Sequence, residues 1–496
     1  MTAVDLLLGI DVGTTNTKAV AFDLTGNEVA QNARPTPTIG QGDGQQAHDP
    51  EAIWALVAAL VRELITGLPA RARIAGVAVA SVGEEIIPLD EAGRALHPSI
   101  CWYDNRTEAQ AARYAARLTS AETFRISGLP IHPIWSAFKM QWIRDHAPDA
   151  FRKAQMWLCM ADYITYRLCG EATTSYSLAC RTLLFDLRER RWSDSLLDAA
   201  GVAAATLPEP VPSGAPAGRV TAGAARATGL AEGTPVAVGG HDHICGALAA
   251  GAQEPGAVFD SAGTAEAILV VLAEPALDPE LGGRGITVGC HTARDRYYAL
   301  GAMPAGGVLD WFYRLWTGGQ GGMDRDGALA AAAQSPPGAH GLLCLPYLMP
   351  GAQPGWGREG VLYGLQTRHA AGDIVRAGME GLAYEMRRHY ESVTGAFGVK
   401  PAQIQFAGGL SRSRLIMEIK ANVLGIPVIP LAHSELVAQG AAILAGIGAG
   451  VYASEHAALM AVRNTAAPVL PDPATVAGYQ HLFEQYQSRR DRYGTE

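Results

Sequence analysis

Charged residues are scarce in this 496-residue chain, at 18% against 48% hydrophobic, so it can bury a large core and is not a disordered or solvating segment. Positive charge is scarcer still: Lys+Arg 39 against Asp+Glu 48 leaves a net charge of −9. Nucleic-acid and anionic-membrane proteins carry a basic face, so neither kind of partner is expected. No run of about 18 apolar residues is free of charge or glycine-rich breaks, which excludes a transmembrane helix as the reading. Val437 to Val451 comes nearest, and Gln439 with its glycines reads as a buried helix and turn. The opening, Met1 to Gly13, lacks a basic n-region and carries Asp5 and Asp11 inside its apolar stretch, so it does not read as a signal peptide. The seven cysteines are scattered without a CxxC pair, which points to reduced thiols in a cytoplasmic protein rather than a disulfide scaffold.

What is present is a chain too long for one core, about three domains by length or two large lobes. Gly 57 and Pro 29 imply many turns. Leu6 to Ile10 is an apolar run ending in Asp11-Val12-Gly13-Thr14-Thr15, and Thr17 to Asp23 follows as a second run: a hairpin opening an α/β domain. Pro50 to Leu68 has helical periodicity, Ile74 to Ala80 reads as a buried strand, and helices are predicted around Thr107–Leu118, Ala137–His146 and Ser193–Ala200. The proline-crowded Leu207 to Gly218 reads as a surface loop. Pro235 to Gly240 is again an apolar run closing on glycines. The second half repeats the opening: Ala257-Val258-Phe259 leads into Ser261-Ala262-Gly263-Thr264 and then an apolar run from Ala267 to Leu272. Such self-similarity predicts two lobes of related fold, residues 1–248 and 249–496, joined near Gly246–Gly256. Tyr479, Phe483 and Tyr486 lie at near-helical spacing and mark a packed C-terminal helix, with Arg489 to Glu496 solvated.

Asp11-Val12-Gly13-Thr14-Thr15-Asn16-Thr17-Lys18 is the sharpest local signal. Glycine lets backbone approach a phosphate, hydroxyls and N–H groups donate to its oxygens, and a carboxylate at the strand end can hold Mg²⁺. There is no GxxxxGK[ST] and no GxGxxG, and a haloacid-dehalogenase-type phosphatase would want a second Asp where Gly13 stands. An ordinary Gly-Thr turn accounts for the segment equally well by itself. In Gly239-Gly240-His241-Asp242-His243 the two histidines would point to opposite faces of a strand, so zinc is not expected, and Asp242 after a diglycine suits a general base. Gly408-Gly409-Leu410-Ser411-Arg412-Ser413 follows a strand and opens a predicted helix through Leu415, Ile419 and Val423, where backbone can meet a phosphate or a flat ring.

In combination and order, these elements resemble the FGGY carbohydrate kinases. Ser136 to His146, with Lys139 and Trp142, is similar to the family's N-terminal signature, with Ile134 departing at its first position. Gly360 to Glu380 is similar to the C-terminal signature, with Gly378 departing. The match runs from about residue 5 to 450. The resemblance implies two ribonuclease-H-like lobes of the actin/Hsp70/hexokinase type around a cleft that binds MgATP and a small sugar or polyol. It implies Mg²⁺ at Asp11 and Asp242, and ATP phosphates near Thr14, Thr15, Lys18, Gly263 and Thr264. Gly306 and Gly307 would approach the nucleotide, with Gly408, Gly409 and Ser413 at the adenosine. Asp242 would be the catalytic base that deprotonates a sugar hydroxyl.

Cys101 to Arg106 is similar to the Trp-Asn-Asp-x-Arg stretch of xylulokinase-like members, which places Trp102 and Asp104 at the sugar, with Tyr103 and His243 beside them. Glu84 and Glu85 are candidate substrate ligands that stand where those members carry Gln-Met-His-Gly; a solvated turn accounts for one of the pair. The expected activity is ATP-dependent phosphorylation of a ketopentose such as xylulose. The alternatives are another ketose or polyol (ribulose, fuculose, erythritol, erythrulose, glycerol), an actin- or Hsp70-like ATPase, or a sugar-binding regulator without turnover. Members of the family often dimerise, so a homodimer is an expectation from resemblance alone.

Overall fold

Continuous apolar runs, buried on both faces, and a Gly-Thr turn put strands β1 (Val4–Val12) and β2 (Asn16–Asp23) into an antiparallel hairpin, extended by β3 (Glu28–Pro35). This is a computed structural model that describes residues 4–40, 42, 44–263, 265–317, 325–348, 359–431, 435–462 and 466–493. Helix α1 (Pro50–Gly67) starts from Asp49, whose side chain accepts the Glu51 amide, and buries Ile53, Val57, Leu60, Val61 and Leu64 beneath the sheet. The chain returns as β4 (Ala72–Ser81), parallel to β1. Strands β5 (Pro216–Arg219) and β6 (Pro235–Ala237) extend the sheet in the order β5-β6-β4-β1-β2-β3, and β7 (Gly240–His241) pairs with the end of β4. Helix α2 (Asp242–Ala249) leaves directly from β7.

The second half rebuilds the same order. Strands β8 (Val258–Ala262) and β9 (Ala265–Leu272) form the second hairpin; β10 (Ile286–Cys290) and β11 (Tyr297–Pro304) continue it antiparallel. Helices α3 (Gly306–Thr317) and α4 (Ala371–Ala396) lead to β12 (Ile404–Ala407), α5 (Arg414–Leu424) and β13 (Val428–Pro430). The sheet order is β10-β11-β9-β8-β12-β13, with β12 and β13 added parallel on the far side of β8. Each hairpin thus has an antiparallel neighbour on one side and parallel strands on the other, which is the duplication that the two Gly-Thr turns imply.

Helix α6 (Leu436–Gly448) comes from the second half yet packs on β1, β4 and α2 of the first. Its backbone lies almost on the strand. A Cβ at Gly9 would sit 1.8 Å from the Ala438 carbonyl oxygen, and one at Gly440 would sit 2.0 Å from the Cys245 carbonyl oxygen. Only glycine permits this approach. Leu7, Phe22, Ile244, Phe259, Val271, Ala441 and Leu444 close one apolar core between the halves. Helix α7 (Pro473–Tyr493) buries Tyr479, Phe483 and Tyr486, as their spacing predicts.

Two expectations change. Leu207 to Gly218 is not all loop: Glu209–Val211 and β5 are short strands, and β5 takes Pro216 because it is the sheet's outer edge, where a missing N–H breaks no ladder. The charged C-terminus is not simply solvated, since Arg490 donates to the Tyr347 hydroxyl (2.8 Å) and lies 3.2 Å from the buried Glu385. All seven cysteines are unpaired and buried. Among the described residues no helix is long and apolar enough to cross a membrane.

Replacing Gly9 by Ala forces α6 off β1 and is expected to cost about 3 kcal/mol of stability, an overpacking penalty at the upper end of the usual range. Urea unfolding would show a lower midpoint, and an unchanged midpoint would disprove the close packing.

Candidate active site

Strand register brings the two key carboxylates together. Asp11 pairs with Ala80 of β4, and Ala80 pairs with Gly240 of β7, so all three stand at one level of the sheet. Asp242, two residues past Gly240, opens α2 beside the end of β1. Asp11 is half-buried, and among the described residues it makes no ion pair; burial, and then the Asp242 charge, push its pKa up to about 8 against the pull of Lys18. Two facing carboxylates with one raised this far form a site short of positive charge, the chemistry that suits a divalent cation. Asp242 Oδ1 accepts the His243 amide (2.6 Å) and faces His241 Nε2 at 3.4 Å. Burial holds His241 down at about 4, so the imidazole is neutral beside the base.

The first Gly-Thr turn is braced from both ends. Gly13 N–H donates to the Asn16 carbonyl (3.2 Å), and Thr36 Oγ1 donates to the Gly13 carbonyl (2.6 Å). Thr14 Oγ1 accepts the Trp102 indole N–H (2.9 Å), which ties the first turn to the Trp102 segment, while Thr15 is exposed. Lys18 is paired with Glu435, at the start of α6, at 2.6 Å. Across from this turn, the Gly306 amide donates to the Gly263 carbonyl (3.0 Å), joining the second turn to the start of α3, and Gly307 follows. Thr264 lies outside the described residues. Buried Lys420 of α5 bridges Asp260 of β8 (2.7 Å) and Glu266 of β9, so the strands that carry this turn are tied to the helix behind them. Burial and the Asp260 charge raise Glu266 to about 8.

Gly408 has φ 94°, and a Cβ there would lie 2.2 Å from the Ala262 carbonyl oxygen, so the diglycine packs backbone to backbone against the second turn. The helix does not open at the diglycine as expected. Gly409–Arg412 is a 3₁₀ turn, and α5 begins at Arg414 with Ser413 as its cap, its side chain accepting the Ile416 amide.

The sugar end departs most from expectation. Neither Glu84 nor Glu85 lies in a solvated turn: they are 5% and 1% exposed. Glu84 Oε1 accepts from Arg181 Nε (2.8 Å) and Nη2, and its Oε2 accepts the Gly83 amide (3.1 Å). Burial raises that carboxyl, but Arg181 and then His241 overcome it and hold it down at about 2. Glu85 goes the other way, raised by burial against His48 and Lys139; its Oε1 accepts the Trp102 amide (3.2 Å). His48 Nδ1 meets the Pro37 carbonyl (3.0 Å), which turns Nε2 toward Glu85 Oε1 at 3.6 Å, with Cys101 the third member of the group. Lys139, wholly buried, donates to the Glu84 carbonyl (3.0 Å), and burial pulls it down to about 8.

Asp104 does not reach out for sugar hydroxyls in this structure. Its oxygens accept the Arg106 amide (2.9 Å), Arg106 Nε (2.9 Å) and Nη2 (2.6 Å), and the Gln46 amide (2.7 Å), which fills a carboxylate's four acceptor positions. Trp102 stacks edge-on against Tyr103, whose hydroxyl donates to Gln46. His243 is exposed on the first turn of α2.

Arg181, Lys139 as a buried charge, and Glu435 are neighbours of the candidate site that motif reading missed, while His241, read there only as an improbable zinc ligand, lies against Asp242. Lys139 had a signal, a lysine among Ala137, Phe138, Met140 and Ile143; Arg181 had none, since its partner lies 97 positions away.

The chain matches the FGGY family of carbohydrate kinases, its N-terminal domain over residues 6–249 and its C-terminal domain over residues 259–449. It is 29% identical to the xylulose kinase of Bacillus subtilis over 97% of this chain and 96% of that one. Identity to the gluconokinase of the same organism is 28%, over 90% of this chain and 87% of that one. Among solved structures, the xylulose kinase from Rhodospirillum rubrum superposes with a TM-score of 0.91 at 31% identity, covering 99% of each chain.

A raised Asp11 means that the folded, cation-free protein holds a proton that the unfolded chain releases above its ordinary 3.8, so this group's contribution to stability falls as pH rises from about 4 to about 8. Asp11→Asn is therefore expected to melt higher than wild type without divalent cation, by a margin that grows from pH 5 to pH 8. Added divalent cation should raise only the wild type. Calorimetric melts at the two pH values check this, and a constant margin would refute it.

Proposed function

The chain belongs to the FGGY family of carbohydrate kinases, and from that premise we propose that it transfers the γ-phosphoryl group of ATP to a hydroxyl of a ketopentose such as xylulose, with Asp242 as general base. That it is a sugar kinase using ATP, with two actin/hexokinase-like lobes, follows from the family and its structural neighbours. An ATPase that transfers phosphate only to water is thereby set aside.

The observation that supports the mechanism is the placement of Asp242. Its Oδ1 is engaged by the His243 amide and faces His241, and among the described residues no hydrogen bond is made to Oδ2. Oδ2 is the oxygen that takes the hydroxyl proton as the sugar oxygen attacks phosphorus. Asp11, with Asp242, would hold Mg²⁺, which supplies charge neutralisation for the phosphates. Thr14, Thr15 and the backbone of the first turn donate to the transferring group from one side, and Gly263 and Thr264 from the other. Lys18 joins them by leaving Glu435. Gly306, Gly307, Gly408, Gly409 and Ser413 form the nucleotide side. Residues 1–248 act as the sugar lobe and 249–496 as the nucleotide lobe in this reading, with closure excluding water.

On the sugar side Trp102, Glu85 and His243 line the pocket. Asp104 contributes by fixing the turn that carries Trp102, and Glu84 by fixing Arg181. Relatives named for xylulose and gluconate support the substrate class at the level of small open-chain or ring sugars, and xylulose is the first candidate within it.

Asp242→Asn is expected to lower kcat about 10³-fold, within the usual contribution of a general base, with the KM for ATP little changed. Coupled ADP release with MgATP and xylulose measures it; near-normal turnover would rule out Asp242 as the base. The same assay run with ribulose, fuculose, rhamnulose, erythritol, erythrulose, gluconate and glycerol identifies the sugar, and a stronger response than xylulose from any of them would replace it.

A further inference from the structure

Beside the proposed sugar wall lies a cavity of about 110 Å³ whose walls come from both halves of the chain. Ile131, Ile134 and Trp135 form one side; Thr287 of β10 and Leu300 and Ala302 of β11 form the other. Arg181 and His132 bring polar groups to an otherwise largely apolar lining. Arg181 is pinned flat: Glu84 takes Nε and Nη2, its guanidinium lies 4.7 Å from the Trp135 ring centroid, and Nη1 reaches Thr287 Oγ1 at 3.4 Å. That last contact is long for a hydrogen bond and leaves donor capacity facing the cavity.

The cavity is one residue away from the base. A Cβ at Gly83 would lie 2.6 Å from Arg181 Cγ on one side and 3.0 Å from His241 Cδ2 on the other, and His241 Nε2 is 3.4 Å from Asp242. Gly83 therefore leaves room for a distant arginine to stand beside the reaction centre, and a larger residue there would expel it.

We propose that this cavity is the subsite for the end of the sugar remote from the phosphorylated hydroxyl, with Arg181 as its specificity-determining residue. The inference rests on the reading of Asp242 as the base at the near end. Apolar walls suit the C–H faces of a carbon chain, and the pair formed by Arg181 Nη1 and Thr287 Oγ1 suits one terminal oxygen. The ligand class is a ketose of four or more carbons with its last hydroxymethyl group in the cavity. A space of this size holds roughly three water molecules, or a chain end of two to three carbons. Glycerol, held by one hydroxyl at Asp242, is too short to fill it. Because the two walls belong to different halves, a sugar of sufficient length also bridges them.

The test is calorimetric titration of xylulose, glycerol and MgADP into the full-length wild type and two variants. Ala302→Leu fills the cavity without removing any polar partner; Arg181→Lys keeps a charge opposite Glu84 but loses the planar fork. Both are expected to weaken xylulose at least tenfold while MgADP affinity stays within twofold, and the wild type is expected to bind glycerol at least tenfold more weakly than xylulose. If Arg181→Lys does not fold, as judged by its melting curve, Ala302→Leu decides alone. Xylulose affinity within twofold of wild type in a folded Ala302→Leu, or glycerol bound as tightly as xylulose, overturns the subsite. A wild type that binds no sugar at all would instead bring down the parent reading of the sugar pocket together with this one.

Discussion

The placement of Asp11 and Asp242 depends on how closely the backbone of α6 lies on β1 and α2. With glycine at positions 9 and 440, helix and strand meet at a distance that no side chain permits. That contact fixes the ends of three elements at one edge: Asp11 at the end of β1, Asp242 at the start of α2 and Glu435 at the start of α6. Their charges then set one another. Asp242 raises Asp11, Lys18 lowers it, and Glu435 both engages Lys18 and adds to the negative field. This excess of carboxylate favours a proton or a cation at Asp11.

Behind the sugar wall the physics differs. Glu84, Glu85, Lys139 and Arg181 are all buried. Buried ion pairs add little net stability, since desolvation offsets most of the attraction, but removing one partner is strongly unfavourable. Their value here is geometric. Arg181 is fixed by Glu84 and Trp135, Lys139 supports the backbone of Glu84, and Glu85 holds the Trp102 amide. Through Trp102 this buried group reaches Thr14 in the first Gly-Thr turn. In the proposed reading, a sugar bound against Trp102 would therefore also touch the turn that handles phosphate.

The nucleotide side is tied in a parallel way. Lys420 joins α5 to both strands of the second hairpin, and Gly408 packs against Ala262 one residue before the second turn. In each half a hairpin is thus tied to the elements behind it by a buried ion pair or a glycine contact, with different residues in the two halves.

The hairpin strands, the first Gly-Thr turn, and helices α1 and α7 were legible in the sequence, because apolar periodicity and turn residues act over a few positions. The repeat of strand, turn and strand was legible for the same reason, but the order of strands in the two sheets came only with the structure. Which polar side chains are free was not legible. Lys18 meets Glu435 417 positions on, and Glu84 meets Arg181 97 positions on. Asp104, read as open to a sugar, turns back onto its own loop, and Glu84, which had a solvated alternative, is sealed. Burial and pairing are set by elements that converge only when the two halves pack. Local pattern determined the chemistry available to this protein, and tertiary structure decided which of those groups can still use it.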